Sequence, residues 1–318
     1  MQKYIFFIAV FVIAIFIYPA FSLITSPYSQ GEIVSPLPKF LTDIFPQPFR
    51  EVYAWKPKEQ IYPGSITKPQ VFSSGALIYD ITTERLLYAN DIKKRLPIAS
   101  LTKIMTAVVA VENNDLTKKI KIEKEAATIG EDSMGLSEGE VLELKDLLHG
   151  LFLNSGNDAA EAIASSSQFG RDNFIYLMNK KVEELGLTDT HFTNPSGLQG
   201  DGEQYSTAYD LLVITKYALE NKIISQIAST VSYEIAQTAS HKAYSLFNET
   251  NLLTSYPGVK GVKTGYTYEA GFCLISYLDY QGHEIIGILL NADNRRQSMK
   301  DLLDYSLKIE GVTPPPHS

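Results

Sequence analysis

The 318-residue chain carries 28 Lys and Arg against 36 Asp and Glu, a net charge of −8, and 45% of it is hydrophobic. That is sufficient apolar material for one large domain or two small ones, and the acidic balance, without clustered Lys and Arg, argues against nucleic acid as a partner. Cys273 is the single cysteine and the five histidines are scattered, so an intrachain disulfide and a cysteine-based metal site are excluded. No metal or cofactor motif is found, since His283-Glu284 lacks the second histidine of a zinc-protease helix. Cys273, within Gly271-Phe272-Cys273-Leu274-Ile275, reads as a small buried apolar side chain.

Lys3 precedes a nearly unbroken apolar run from Tyr4 to Ile24, about the ~20 residues needed to span a bilayer. One positive charge ahead of it places the N-terminus in the cytoplasm and everything after it outside. Ala20-Phe21-Ser22 also suits a signal-peptide cleavage site. Residues 1–25 are therefore expected to be an N-terminal membrane anchor or signal segment, with the rest at the extracytoplasmic face of the cell membrane, or secreted if the segment is cleaved. Residues 26–70 hold Pro27, Pro36, Pro38, Pro46, Pro48, Pro57, Pro63 and Pro69 without sustained periodicity, which predicts an extended stalk rising ~3.1 Å per residue.

The folded domain is expected over 71–310. Ala76-Leu77-Ile78-Tyr79 and Leu86-Leu87-Tyr88-Ala89 flank a short polar turn as a β-hairpin. A helix then follows Ser100, with Leu101, Ile104, Met105, Val108 and Val111 on one face. Helical spacing recurs over 141–152, 158–165, 172–185 and 207–219, an α-rich insert. After Tyr256-Pro257-Gly258 the period shortens to strands over 261–267, 271–280 and 285–291, with Gln281-Gly282 as a hairpin turn. A last helix is predicted over 296–309, and 311–318, with Pro314-Pro315-Pro316, as a disordered tail. This order predicts an α+β domain whose first hairpin joins the late strands in one mainly antiparallel sheet.

Three short stretches carry chemistry. In Ser100-Leu101-Thr102-Lys103 the lysine lies one helical turn beyond the serine, within reach of its hydroxyl. A serine is a poor nucleophile until a base takes its proton, and a lysine serves only when burial or a neighbouring cation keeps it neutral. Ser65-Ile66-Thr67-Lys68 repeats the spacing, but Pro69 follows at once and no helix can hold that lysine over that serine. Ser155-Gly156-Asn157 places a hydroxyl and a carboxamide at a turn between helices, fit to relay a proton and to orient an amine or an amide. Lys263-Thr264-Gly265 puts a second cation on a strand, beside a hydroxyl and a glycine that permits close approach of another backbone.

Singly these patterns are common in turns and solvated faces. In the order SxxK, SGN, KTG, on helix, turn and strand, they resemble the serine-type D-alanyl-D-alanine carboxypeptidases of peptidase family S11, the low-molecular-mass penicillin-binding proteins. Asp132-Ser133-Met134-Gly135-Leu136, Phe192-Thr193-Asn194-Pro195-Ser196-Gly197-Leu198 and Tyr205-Ser206-Thr207-Ala208 extend the resemblance. It implies a β-lactamase/transpeptidase-like fold, a mainly antiparallel sheet flanked by helices plus an α-rich subdomain. It also implies a reaction: Ser100 attacks the carbonyl between the terminal D-alanines of a peptidoglycan stem peptide, and water hydrolyses the acyl-enzyme. In that reading Lys103 is the base, Ser155 passes the proton to the leaving amine, and Asn157 positions lysine and substrate. The backbone N–H groups of Ser100 and Tyr266 form the oxyanion hole; Lys263, Thr264, Gly265 and Arg295 hold the substrate, with Arg296 beside Arg295 as the alternative carboxylate ligand. β-Lactam antibiotics are the implied covalent inhibitors. Tyr266 stands where many members have histidine, and the chain stops where larger members continue, which assigns anchoring to the N-terminal segment. A D,D-endopeptidase of cross-links uses the same residues, and a catalytically silent cell-wall-binding protein is the non-enzyme alternative. A class A β-lactamase is disfavoured, because no Glu-x-x-Leu-Asn stretch is found.

Overall fold

Two hairpins assemble the sheet. β1 (Ser73–Asp80) and β2 (Arg85–Asn90) pair antiparallel across a turn in which Asp80 Oδ1 accepts from Thr82 N at 2.8 Å, the local bond by which a short acid closes a turn. β8 (Gly271–Tyr280) and β9 (His283–Ala292) are joined by Gln281-Gly282, at φ 48° and 86°. Two consecutive positive values mark the two-residue turn whose twist matches that of the strands. β9 pairs with β1, and β7 (Val259–Thr267) with β8, giving the all-antiparallel order β2-β1-β9-β8-β7. The early hairpin thus joins the late strands, and Lys263 lies on an edge strand.

The computed structural model describes residues 55–61, 66–200 and 202–317; the expected anchor, 1–25, and most of the expected stalk lie outside them. Among the described residues no helix is long and apolar enough to cross a membrane.

Both faces of the sheet are covered, and strand alternation decides what covers each. Leu77 and Tyr79 enter the larger core shared with the helical part, whereas Ala76 and Ile78 enter a second core. That second core is filled by Met299, Leu302 and Leu303 of α9 (Arg295–Ile309). Between the hairpins come α1 (Lys103–Asn113), α2 (Lys124–Ala127), α3 (Leu144–Leu153), α4 (Asn157–Ser165), α5 (Gly170–Glu184), α6 (Ala208–Glu220) and α7 (Lys222–Ala228), with α8 (Leu252–Ser255) just before β7. Side-chain caps fix several starts: Thr207 Oγ1 accepts from Asp210 N (3.0 Å) ahead of α6, and Asn294 Oδ1 from Gln297 N (3.1 Å) ahead of α9.

The structure corrects three details. The helix predicted over 141–152 starts at Leu144, because β4 (Val141–Glu143) pairs with β3 (Lys119–Lys121). Three residues suit either period, and the partner strand decides. A second ribbon, β5 (Ser232–Ile235) with β6 (Tyr244–Phe247), lies outside the expected strands. Finally, 311–317 pack rather than dangle: Pro315 is buried, and His317 stacks on Tyr256 with ring centroids 4.6 Å apart and bonds Asp304 at 3.0 Å.

Candidate active site

Ser100 lies not inside an α-helix but in a 3-10 turn, Ala99–Thr102, that feeds α1. Ala99 is held at φ +47°, a left-handed conformation that costs a residue with a Cβ, and Thr102 Oγ1 donates to Ala99 O at 2.8 Å. Two glycines hold this turn from outside. A Cβ at Gly197, whose φ is +90°, would meet Ala99 O at 2.0 Å, and one at Gly265 would meet Ser100 N at 3.1 Å. The edge strand β7 therefore lies backbone against backbone with the serine turn, as the glycine of Lys263-Thr264-Gly265 permits.

Lys103, the first residue of α1, is fully buried. Its Nζ lies 2.7 Å from Ser100 Oγ, 2.8 Å from Asn157 Oδ1 and 2.8 Å from Ser196 O. Asn157 Nδ2 donates to Gly130 O at 3.0 Å, which fixes the carboxamide with its oxygen toward the lysine. Two of the three partners can only accept. A neutral amine satisfies them with its two N–H groups and turns its lone pair to the serine hydroxyl; an ammonium would donate there instead. Burial, then the charge of Lys263, pushes the Lys103 pKa well below its ordinary value, against the pull of Asp132, Glu249 and Asp158. The arrangement therefore favours the neutral amine, a base already in contact with a nucleophile.

The second stretch closes the site from the helical side. Ser155 is buried at φ +54° in the turn between α3 and α4. Among the described residues no hydrogen bond links its hydroxyl to Lys103 or Ser100. Asn157 N donates to Asp132 O at 2.8 Å. Asp158, buried beside it, accepts from Ser133 Oγ (2.6 Å) and from the backbone N–H groups of Met134 (3.0 Å), Gly135 (2.9 Å) and Leu136 (2.9 Å).

The third stretch supplies the cations. Lys263 is 1% exposed, donates to Thr264 O at 3.0 Å, and burial lowers its pKa to about 8, against the influence of Glu249 and Asp132. Arg295 Nη1 donates to Gly265 O (2.7 Å) and Cys273 O (3.3 Å), tying the start of α9 to β7 and β8. Thr264, Arg295 and Arg296 line one cleft with Glu249, and the hydrogen bonds to β7 come from Arg295. The Tyr266 side chain is exposed, its ring 4.7 Å from that of Phe272. Cys273 is fully buried, and burial raises its thiol to about 11.

Known proteins resemble this chain in sequence and in fold. Residues 63–294 match the family described as D-alanyl-D-alanine carboxypeptidase, Peptidase S11. The chain belongs to that family. It is 34% identical over 242 residues to the D-alanyl-D-alanine carboxypeptidase DacF of Bacillus subtilis (strain 168), covering 74% of this chain and 62% of that protein. It is also 34% identical over 264 residues to the D-alanyl-D-alanine carboxypeptidase of Streptomyces sp. (strain K15), covering 77% of this chain and 90% of that one. The crystal structure of the Streptomyces K15 DD-transpeptidase superposes with a TM-score of 0.73 at 30% identity, over 76% of this chain and all of the other. The predicted fold is thereby shown: a transpeptidase-like α+β domain with a mainly antiparallel sheet flanked by helices.

Two residues given no role in the sequence reading, Asn194 in the stretch 192–198 and Asp158 after Asn157, shape the site's backbone. The Ser196 carbonyl that receives Lys103 is set by Asn194, whose Oδ1 accepts from Gly197 N (2.7 Å) and Ser196 N (3.2 Å) and whose Nδ2 donates to Leu198 O (2.7 Å). Asn194 and Asp158 are positioning residues, and a buried Asx flanked by glycine and proline was the available signal. Among the described residues Asp80, His283 and Glu310 bring ligand atoms within 4.8 Å of one another at the other end of the sheet. There Arg85 donates to Glu310 at 2.8 Å, so a cation is already in place.

Proposed function

We propose that the protein is a serine D,D-carboxypeptidase that removes the terminal D-alanine from peptidoglycan stem peptides. The observation that carries this reading is the 2.7 Å contact between a fully buried, pKa-depressed Lys103 amine and the Ser100 hydroxyl. Ser100 Oγ attacks the penultimate D-alanine carbonyl as its proton passes to Lys103. The tetrahedral oxyanion is held by the N–H groups of Ser100 and Tyr266, donors worth ~3 kcal/mol each. The proton then moves through Ser155 to the leaving amine, the C–N bond breaks and free D-alanine departs. Water, deprotonated by the same base, cleaves the Ser100 ester and restores the hydroxyl. Asn157 orients both the lysine and the substrate amide, while Lys263, Thr264, Gly265 and Arg295 receive the terminal carboxylate. Residues 71–310 form the catalytic domain in this reading, carried outside the membrane by residues 1–25 and the stalk at 26–70.

A β-lactam mimics the scissile amide, so labelled penicillin is expected to attach covalently to the wild type and not to Ser100→Ala. Labelling of the variant, or none of the wild type, overturns the nucleophile assignment. D-Alanine release from a D-Ala-D-Ala peptide, compared with cleavage of a cross-linked dimer, separates carboxypeptidase from endopeptidase action.

A further inference from the structure

Glu249 lies in the loop between β6 and α8 and has no part in the reaction above. Its backbone N–H donates to Leu153 O at 3.2 Å. The loop is pinned on either side: Asn248 Nδ2 donates to Thr230 O (2.9 Å), and Asn248 Oδ1 accepts from Thr250 N (2.9 Å). Glu249 thereby lines the same cleft as Thr264, Arg295 and Arg296. The charged groups that act on its carboxyl come from four elements: Lys263 on β7, Arg295 at the start of α9, Lys103 on α1, and Asp132 on the segment between α2 and β4. A carboxylate of the protein thus shares the cations assigned to the terminal carboxylate of a D-Ala-D-Ala peptide.

We propose that Glu249 is a specificity-determining residue of this cleft: it competes with the substrate's terminal carboxylate for Lys263 and Arg295, so an anionic peptide end binds only as Glu249 takes up a proton or moves aside. Peptides without that terminal charge escape the competition. This inference rests on the carboxypeptidase reading. Glu249 is exposed at the mouth of the cleft, so water screens part of the competition, but two like charges facing the same cations still cannot both remain ionised cheaply. Desolvation already raises the Glu249 pKa, and Asp132 adds to it, while Lys263, Lys103 and Arg295 pull the other way. The sign follows. Lowering the pH protonates Glu249 and tightens binding of the anionic peptide. Because Glu249 also helps keep Lys263 charged, the comparison belongs at pH 7 and below, where a Lys263 titrating at about 8 is protonated.

The experiment uses the full chain, wild type and Glu249→Gln, with two peptides of one sequence ending in D-Ala-D-Ala as the free acid or as the amide. Release of the terminal residue is followed from pH 5.5 to 7.5. For the wild type, KM of the acid-ended peptide falls as the pH is lowered while that of the amide-ended peptide stays level. For Glu249→Gln, KM of the acid-ended peptide at pH 7 drops on the order of tenfold and its pH dependence disappears, with the amide-ended peptide unchanged; Glu249→Asp restores the wild-type slope. Turnover with an unaltered acid-to-amide KM ratio and slope in Glu249→Gln overturns the inference alone. No release from either peptide by the wild type overturns the carboxypeptidase reading and the inference with it.

Discussion

Three of the four lysines buried among the described residues, Lys103, Lys181 and Lys263, fall into two regions, and the contrast between those regions locates the chemistry. Lys181, on α5, is 7% exposed and bonds Glu112 at 2.8 Å and Glu184 at 2.7 Å. Burial pulls its pKa down, yet the two carboxylates outweigh that and raise it. Lys103 and Lys263 are at least as buried, yet their hydrogen-bond partners are neutral oxygens, and both pKa values are lowered. A buried amine with no carboxylate in direct contact is expensive to charge, so two of them in one site are retained for what a depressed amine can do rather than for stability. The backbone repeats the lesson: Ala99, next to Ser100, and Ser155, in the turn that leads to Asn157, are both at positive φ.

Replacing each lysine by methionine tests this contrast. Lys103→Met removes the proposed base, and kcat is expected to fall by about 10²- to 10⁴-fold, with penicillin acylation slowed in parallel. A variant that acylates at the wild-type rate breaks the pairing of Ser100 with Lys103. Lys263→Met removes the carboxylate-binding charge. It is expected to lower kcat/KM for an acid-ended peptide by roughly 10- to 100-fold, while the melting temperature holds or rises because a buried cation with no carboxylate in direct contact is gone. In the wild type Lys263 loses its charge as the pH rises through about 8, so kcat/KM falls above that value. The limb is absent from Lys263→Met. A fall in melting temperature matching the loss of activity would make the residue structural.

Most of the fold was legible in the sequence because strong periods mark its long elements. The first hairpin, the late strands and α4 to α6 and α9 fall within three residues of their expected limits. The motifs marked residues that the fold does bring near one another: Lys103 bonds Ser100 and Asn157, Gly265 packs on the serine turn, Lys263 acts on the Lys103 amine, and Thr264 and Arg295 line one cleft; their roles are the proposal. What the sequence withheld depends on partners distant along the chain. The Ser196 carbonyl reaches Lys103 across 93 residues; no spacing rule reports a backbone acceptor. Nor does composition reveal that Gly197 is obligatory, since only Ala99 O packed against it makes a Cβ impossible. The 3-10 turn at Ser100 escaped for a related reason: helical spacing begins before the helix does, and two close glycines bend the chain there.

Lys181→Met sharpens the contrast from the structural side and has the smallest expected effect on activity. The lysine side chain is 8% exposed, and Glu112 and Glu184 are 24% and 26% exposed. Water reaches the acids once the lysine is gone, so the loss of stability is about 1–2 kcal/mol, below that of a fully buried pair. The pH dependence has a definite sign. A lysine whose folded pKa is raised contributes stability that is fully present below its unfolded pKa, ordinarily near 10.5, and is lost as the pH rises through the higher folded value. Denaturant titrations should therefore show wild type and Lys181→Met separated at pH 7 and converging above about pH 10.5. D-Alanine release at pH 7 should be the same for both. If Lys181→Met instead loses turnover at unchanged stability, the contrast of Lys181 with Lys103 and Lys263 no longer separates architecture from catalysis.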